Sequence, residues 1–215
     1  MMQQAITRNS VILGLFAIAT AGTLALTNEA TLPKIECNRQ QALASSLYQV
    51  MPAGMADNNL LQDWITVSDP LLGRGDHHVY RARQNNQPSG VVLEAVAPDG
   101  YGGRISLLVG VDMNGIITGV RVVPPHNETP GLGDKVELKK SDWILSFDGR
   151  ALDNPADEGW AVKKDGGVFD SFTGATITPR AVVGQVHRAL QFFSIHRDEL
   201  FDRPAEPADT EQCHE

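Results

Sequence analysis

The densest run of chemically useful side chains lies at residues 170–178, with the sequence DSFTGATIT. It ends at Thr178-Pro179, which predicts a helix start because threonine is a good N-cap and proline suits the first helical turn. A helix start offers unpaired backbone N–H groups and the positive end of the helix dipole, and both favour a phosphate group. The run is also typical of a simple capping loop, since hydroxyl side chains cap helices without any ligand.

A Pro/Gly-punctuated loop occupies residues 124–133, with the sequence PPHNETPGLG, and its part at residues 128–133 could contact a ligand. Its glycines would allow close approach of the backbone to a planar ring, and Leu132 could press on one face of that ring. A Pro-Gly turn between a strand and a helix has the same composition and needs no ligand. The residues alone favour the turn without a ligand.

Histidines and carboxylates do not form a convincing metal site in this sequence. His126 with Glu128, and His77 with His78, supply only two donors each, whereas a protein zinc site has at least three protein ligands. Trp64, Trp143 and Trp160 are interpreted as core residues or contacts with other proteins rather than stacking platforms.

Composition limits the function classes further. The chain has 215 residues, 42% hydrophobic and 20% charged, which fits one globular domain with appendages. Its net charge of -8 argues against a nucleic-acid partner, because phosphate binding requires a basic surface.

The two cysteines, Cys37 and Cys213, stand far apart and outside any Cys-x-x-Cys pair. The chain alone is therefore not expected to build an iron–sulfur cluster or a structural zinc site. In an oxidising compartment they could form a disulfide, but two unpaired thiols in flexible ends are the favoured interpretation.

The N-terminal region predicts export of the domain that follows it. Residues 11–26 contain no charge, and with their flanks they reach the lower end of the roughly 17–25 residues that span a bilayer. Arg8 before this stretch and Glu29 after it predict a cytoplasmic N-terminus and an exported domain. A cleaved signal peptide is the alternative, but Thr23-x-Ala25 is a mediocre cleavage site, so a retained anchor is favoured.

Several elements are expected to position these loops. Asn38 is expected to cap a helix that carries Leu43, Leu47 and Val50 and closes at Pro52. The dipeptide Asn114-Gly115 predicts a two-residue hairpin. Strands are expected at residues 78–83, 90–97, 104–111 and 116–123.

The second half of the chain predicts helices that pack on this sheet. A short helix is expected within residues 134–142, and residues 160–164 are expected to pair with 168–170. The last long helix should bury one stripe, and the tail from Arg203 should be disordered. The order of elements predicts an α+β fold, an antiparallel sheet with packed helices. The stripe comprises Val182, Val183, Val186, Leu190 and Phe193.

The run Asp-x-x-Thr-Gly-Ala-Thr at residues 170–176 resembles the flavinylation motif of a family of FMN-binding proteins. The family includes the G subunit of the Rnf (or Rsx) electron-transport complex and the C subunit of the sodium-translocating NADH:quinone reductase. The N-terminal span, Tyr101-Gly102-Gly103 before a hydrophobic strand, and the loop at residues 128–133 follow in the family's order. The resemblance reaches to about Arg197, and the compact length is more similar to the Rnf protein than to the quinone-reductase protein.

The resemblance implies that FMN is joined to Thr176 by a phosphoester, formed by a separate flavin transferase that uses FAD and a divalent metal. Asp170 would be read by that enzyme or would cap local N–H groups, and Thr178 would cap the helix. The implied cofactor-binding residues are Thr176, Thr173, Gly174, Ala175, Asp170, Thr178, Glu128, Thr129, Gly131 and Leu132.

The resemblance also implies a function and a location. The chain is expected to be an electron-transfer component of the Rnf complex without independent turnover, anchored once in the bacterial inner membrane with its FMN domain in the periplasm. Its partners would be other membrane proteins of the complex, including a second one with covalent FMN. The expected segments are a cytoplasmic N-terminus at 1–10, an anchor at 11–27, a linker helix region at 28–60, the FMN-binding domain at 61–200 and an acidic tail at 201–215.

Three rival interpretations remain. The chain could be a component similar to the C subunit of the quinone reductase, or an exported flavin enzyme in which His126 is the only candidate proton donor. It could also be a non-redox membrane assembly protein, in which residues 173–176 form a mere capped turn.

Overall fold

The first element is one long helix, α1, at Met2–Val50 in a computed structural model that describes residues 2–52 and 54–207. From Ile6 onward this helix is long and apolar enough to cross a membrane by length and composition. The prediction of a separate helix capped by Asn38 is wrong, because α1 runs through Asn38 without a break. Residues 34–47 are rich in strong helix formers, which favours continuation. Pro52 follows the helix end, as predicted.

The chain divides into two units, the second of which begins at Leu43 and contains all the described strands. Cys37 lies in the first unit and is disulfide-bonded, so the interpretation of an unpaired thiol at this residue is wrong. Cys213 lies outside the described residues.

The second unit is built on a five-stranded antiparallel sheet whose strands follow one another in sequence order. The predicted α+β fold is confirmed. The four expected strands are present, and a short strand at the sheet edge precedes them. The strands are β1 (Trp64–Val67), β2 (His77–Gln84), β3 (Gln87–Gly100), β4 (Gly103–Asp112) and β5 (Ile117–Val123).

The hairpin between β4 and β5 differs from the predicted two-residue turn. Four residues separate the strands, and the N–H of Gly115 donates to the carbonyl of Asp112 at 3.0 Å. The Asp112 carboxylate accepts the N–H groups of Asn114 and Ile116 at 2.9 and 2.8 Å, which stabilises the longer loop. Only Gly115 has a positive φ in this loop, +83°, whereas the tight turn needs two such residues.

Helix α2 (Ile177–His196) covers one face of the sheet. The five residues of its predicted stripe are all buried, together with inward-facing residues of β3 and β4 such as Leu93 and Leu107. The last turn of α1 packs on the other face, where Leu47 and Val50 lie in one apolar cluster with Leu108. The sheet therefore has a buried layer on each side, and α2 is held firmly by its apolar stripe.

The segment between β5 and α2 is mostly irregular. Where one short helix was expected, two 3-10 turns form at Gly133–Val136 and Asp142–Phe147. The expected pairing of residues 160–164 with 168–170 is present as one bridge, between Val162 and Phe169. Trp143 and Trp160 are buried beside Phe147, as expected for core residues.

The C-terminal residues pack on the sheet edge as far as they are described. A short helix, α3 (Glu199–Asp202), follows α2, and the N–H of Glu206 donates to the carbonyl of Trp64 at 2.9 Å. The Glu206 carboxylate accepts the N–H of Thr66 at 2.7 Å and its hydroxyl at 3.0 Å. The start of the tail is thus held against β1, where the sequence predicted disorder.

A buried ion pair fastens this C-terminal segment to β2. Arg81 is only 2% exposed, and its guanidinium bonds to the Asp63 carboxylate and to the carbonyls of Leu200 and Arg203. Arg83 donates to the second Asp63 oxygen at 2.7 Å. Asp63 therefore balances two arginines at once.

Asp63→Asn should lower the free energy of unfolding by about 3 kcal/mol, because it leaves a buried guanidinium without its charge partner. Urea unfolding of the full chain in detergent, followed by tryptophan fluorescence, measures the effect. Asp153→Asn, which makes the same change at an exposed residue, is the matched control. Equal unfolding midpoints for the two variants would contradict the assignment.

Candidate functional site

The motif at residues 170–176 folds as a tight turn directly before α2. The N–H of Ala175 donates to the carbonyl of Phe172 at 3.0 Å, and Gly174 has a φ of +82°, which favours glycine at this position. Phe172 is buried against Trp143, with ring centroids 5.3 Å apart. Phe172 therefore anchors the turn, while Thr173 and Gly174 stay exposed.

Thr176 is the residue that precedes α2, and it already has helical backbone angles, with φ -74° and ψ -27°. Its side chain makes no capping hydrogen bond, and the residue is half-buried. The threonine at the helix start thus keeps its hydroxyl out of the helix cap.

Thr178 does not cap the helix, contrary to the prediction. It lies inside the first turn of α2, is fully buried, and donates its hydroxyl to the carboxylate of Glu128. The reason is tertiary, because a buried carboxylate on a neighbouring loop accepts the hydroxyl that the sequence assigned to the cap.

Glu128 connects three segments of the chain, and we call this arrangement the Glu128 latch. One carboxylate oxygen accepts the Thr178 hydroxyl, and the other accepts the N–H of Gly102 at 2.9 Å. A Cβ on Gly133 would lie 2.6 Å from the first oxygen, and a Cβ on Gly100 would lie 2.8 Å from the second. The carboxylate therefore occupies space that only glycines leave open.

The latch leaves little of Glu128 for a ligand, since the residue is 5% exposed and both oxygens have donors. Its observed contacts hold the loop at residues 124–133 against the β3–β4 turn and the start of α2. Tight packing supports this, because a Cβ on Gly102 would overlap the carbonyl oxygen of Asn127.

The rest of the second loop forms a turn that presents Leu132. The Thr129 carbonyl accepts the N–H groups of Leu132 and Gly133 at 3.1 and 3.0 Å, and Gly131 has a φ of +77°. Leu132 is 39% exposed, and one of its methyl carbons lies 3.6 Å from where a Cβ on Gly174 would be. The two predicted ligand loops therefore meet at Leu132 and Gly174.

His126 supports this loop from within. Its Nδ1 accepts the N–H of Glu128 at 3.3 Å, and its Nε2 lies 2.8 Å from a carboxylate oxygen of Glu137. Because Nδ1 is an acceptor, the ring proton belongs on Nε2, which donates to Glu137. Within residues 2–52 and 54–207, no group of three or more metal-ligating side chains is present.

Two exposed ion pairs border the motif. Asp170 contacts Lys163 at 2.7 Å through its carboxylate, and its carbonyl accepts the indole N–H of Trp143 at 2.8 Å. The Asp170 carboxylate therefore forms an ion pair with Lys163 and does not cap backbone N–H groups, which was one of its two expected roles. Arg180, in the first turns of α2, binds Asp165 through two hydrogen bonds of 2.6 and 2.8 Å.

The Asp165–Arg180 pair has the expected electrostatic effect. The hydrogen bond from Arg180 lowers the pKa of the Asp165 carboxyl, and the same bond raises the pKa of Arg180. Both groups are exposed, so solvent screening keeps the contribution to stability small. The pair holds the Arg180 guanidinium beside the start of α2.

The sequence singled out the loops at residues 170–178 and 124–133 as candidates, but it did not predict the contacts that join them. Gly102 and Glu128 are 26 residues apart in the chain, and Asp165 and Arg180 are 15 apart, so neither contact follows from a local pattern. The only signal for the first contact was Tyr101-Gly102-Gly103, whose two glycines permit close approach of another backbone.

Two family models match the chain. Residues 100–191 match the FMN-binding domain family, and residues 1–50 match the RnfG N-terminal region. A solved structure, that of Shewanella oneidensis NqrC, covers 70% of this chain and 74% of its own at 24% identity, with a TM-score of 0.45.

Full-length relatives are more similar. The G subunit of the ion-translocating oxidoreductase complex of Pseudomonas aeruginosa is 50% identical over 195 residues, which cover 90% of this chain and 91% of that protein. The corresponding protein of Escherichia coli is 50% identical over 204 residues, covering 95% and 98%. That of Shewanella loihica is 45% identical over 206 residues, covering 95% and 97%. The chain therefore belongs to the RnfG family, the G subunits of the ion-translocating oxidoreductase (Rnf) complex, and contains the FMN-binding domain.

Proposed function

We propose that this chain is an electron-transfer protein that carries FMN covalently, through a phosphoester on Thr176. Membership of the RnfG family and the FMN-binding domain support the electron-transfer role. The observation that carries the covalent assignment is the Thr176 side chain, which stands at the start of α2 and makes no capping hydrogen bond. The neighbouring Thr178 hydroxyl is bonded to Glu128 and is buried, so it is the poorer acceptor.

The surroundings of Thr176 suit a phosphate. The first turn of a helix presents free N–H groups and a partial positive charge, which stabilise an anionic phosphodiester. Pro179 and the carboxylate-bound Thr178 restrict the conformations of this turn. Thr173 and Gly174 are exposed and small, so a second protein could reach Thr176 from this side.

Attachment requires an external donor, because an unactivated threonine hydroxyl is a poor nucleophile. In the proposal, Thr176 Oγ1 forms a new bond to the FMN phosphorus of FAD within a flavin transferase. The pyrophosphate bond of FAD breaks and AMP leaves, while the hydroxyl proton passes to a base of the transferase. Asp170, which is exposed and paired with Lys163, is available for recognition by that enzyme.

The bound flavin supplies one-electron and two-electron redox chemistry, and the protein positions it. Leu132 offers an exposed apolar face next to Gly174, which suits one side of a planar ring. Thr129 and Gly131 shape the turn that presents Leu132. In this proposal Glu128 acts as a positioning residue, since its latch fixes the Leu132 loop against the helix that carries the acceptor.

The N-terminal helix supports a proposal for the location of the chain. An apolar helix at the N-terminus and membership of the Rnf complex fit a single-pass membrane protein. We infer that the N-terminus is cytoplasmic and that the FMN domain lies on the periplasmic side of the inner membrane, from Arg8 and Glu29 on either side of the apolar stretch. Its electron-transfer partners would be other proteins of the Rnf complex, including one that also carries covalent FMN.

Thr176→Val should abolish covalent flavin, because valine has the shape of threonine without the acceptor oxygen. The full chain is co-expressed with a flavin transferase, and flavin fluorescence is read on a denaturing gel together with the intact mass. Ser171→Ala, which removes a hydroxyl from the same run at a position that the motif leaves open, is the control and should remain fluorescent. Fluorescence that survives in Thr176→Val would show that another residue is the acceptor.

Glu128→Ala should lower the free energy of unfolding by about 3 kcal/mol, because the N–H of Gly102 and the hydroxyl of Thr178 would lose their acceptor in a buried site. Flavin loading of Thr176 should slow as well, since the turn and its neighbouring loop would no longer be held together. Urea unfolding and a time course of flavin fluorescence measure the two effects. Glu158→Ala, at an exposed glutamate, is the control. Unchanged stability of Glu128→Ala would contradict the latch.

A further inference from the structure

A wide groove of about 1100 Å³ opens on the surface of the domain. Its walls come from the loop between β1 and β2, the strand ends that flank the β3–β4 turn, and the middle of α2. The charged and amide side chains that line it are Asp69, Arg74, Asp99, Arg104, Gln185 and Arg188.

The three arginines of this groove have no carboxylate partner among the described residues, although Asp and Glu outnumber Lys and Arg by 26 to 18 in the chain. Four arginines elsewhere in the domain form ion pairs, whereas the groove brings together three that form none. Like charges gathered in one groove repel one another unless an anion lies between them. The residues with ion pairs elsewhere in the domain are Arg81, Arg83, Arg180 and Arg197.

One of these arginines is fixed in place by a buried amide. Gln185 is 1% exposed, and its Nε2 donates to the carbonyl of Leu71 at 2.8 Å. Its Oε1 accepts Nε and Nη2 of Arg188 at 3.1 and 2.7 Å. A buried side chain therefore holds the guanidinium, and Nη1 of Arg188 remains available to an occupant of the groove.

The carboxylates in the groove do not cancel this charge. Asp69 accepts the N–H of Leu71 at 2.7 Å through one oxygen, and its other oxygen lies 3.5 Å from Nε2 of His196. Asp99 is exposed, so the groove is lined by two aspartates and three arginines. The lining therefore keeps a small formal positive charge on a protein whose net charge is -8.

The groove is connected to the proposed flavin site through one turn. Asp99 and Arg104 flank the β3–β4 turn, and Gly102 at that turn donates its N–H to Glu128 of the latch. A protein bound in the groove would thus contact the β3–β4 turn, which itself contacts the loop at residues 124–133. Guanidinium groups bind carboxylates in a planar, two-point geometry, and complementary charge accelerates and orients association.

We propose that the groove with Arg74, Arg104 and Arg188 is the docking site for an acidic polypeptide segment of an electron-transfer partner within the complex. The electron-transfer purpose rests on the proposed function, but the binding of the segment does not require flavin. The open shape and the volume suit an extended chain segment better than a single small anion.

Binding of fluorescein-labelled hexaglutamate to the full chain in detergent, measured by fluorescence anisotropy at low salt, tests the groove. The double substitution Arg74→Gln with Arg104→Gln should weaken binding about 10-fold, because it removes two charges that face the peptide. Lys135→Gln with Lys139→Gln removes the same charge elsewhere on the domain and should change binding less than about 2-fold. Equal weakening in both pairs would mean unspecific attraction and would overturn the proposal.

Two further arms identify the source of the anion. The same variants are tested for binding to phosphatidylglycerol vesicles and to inorganic phosphate. The proposal would be overturned if the arginine substitutions weakened binding of vesicles or phosphate but left hexaglutamate binding unchanged. In native membranes, a photo-crosslinking amino acid at Arg104 should label an acidic segment of another protein of the complex. Labelling of lipid, or no label, counts against it.

The same assay separates this inference from the flavin assignment. Thr176→Val protein without flavin should bind hexaglutamate as tightly as the wild type, because the groove lies outside the acceptor turn. If the groove variants bind normally while Thr176 carries flavin, the docking proposal alone fails. If Thr176 carries none while the groove binds the peptide, the covalent assignment alone fails.

Discussion

The structure of the site depends on one buried carboxylate. Glu128 accepts hydrogen bonds from the start of α2 and from the β3–β4 turn, and its loop is thereby fixed to both. A buried carboxylate without donors is costly, whereas one with good donors fixes the geometry of the groups around it. The latch therefore sets where the loop that carries Leu132 and the turn at residues 170–176 meet, and no local sequence preference could do so.

A second consequence concerns the three threonines of residues 170–178. They are chemically alike, but their environments differ, because the Thr178 hydroxyl is buried on Glu128 whereas Thr173 is exposed on the turn. Thr176 stands between these extremes, half-buried at the helix start and free of a capping bond. The tertiary contact on Thr178 thus distinguishes the proposed acceptor from its neighbours.

The charge distribution connects the proposed flavin site with the rest of the domain. Exposed ion pairs border the turn at residues 170–176, while the groove beside the β3–β4 turn gathers arginines that form no ion pair within the described residues. An acidic protein that keeps such a positive groove is adapted to an anionic contact. The β3–β4 turn contributes to both regions, since its flanking residues line the groove and Gly102 binds the latch.

The sequence by itself determined the α+β class, four of the five strands, the buried stripe of α2 and the loop that bears Thr176, because these follow from periodicity, turn residues and a dense motif. It did not determine the continuous α1, the four-residue hairpin or edge strand β1. Strong helix formers around Asn38 let α1 continue, and the Asp112 carboxylate stabilises the longer hairpin loop. Strand β1 is short and pairs only with β2. Only the tertiary structure decided that Glu128 would bond Thr178 and Gly102, since partners 50 and 26 residues away meet through folding alone.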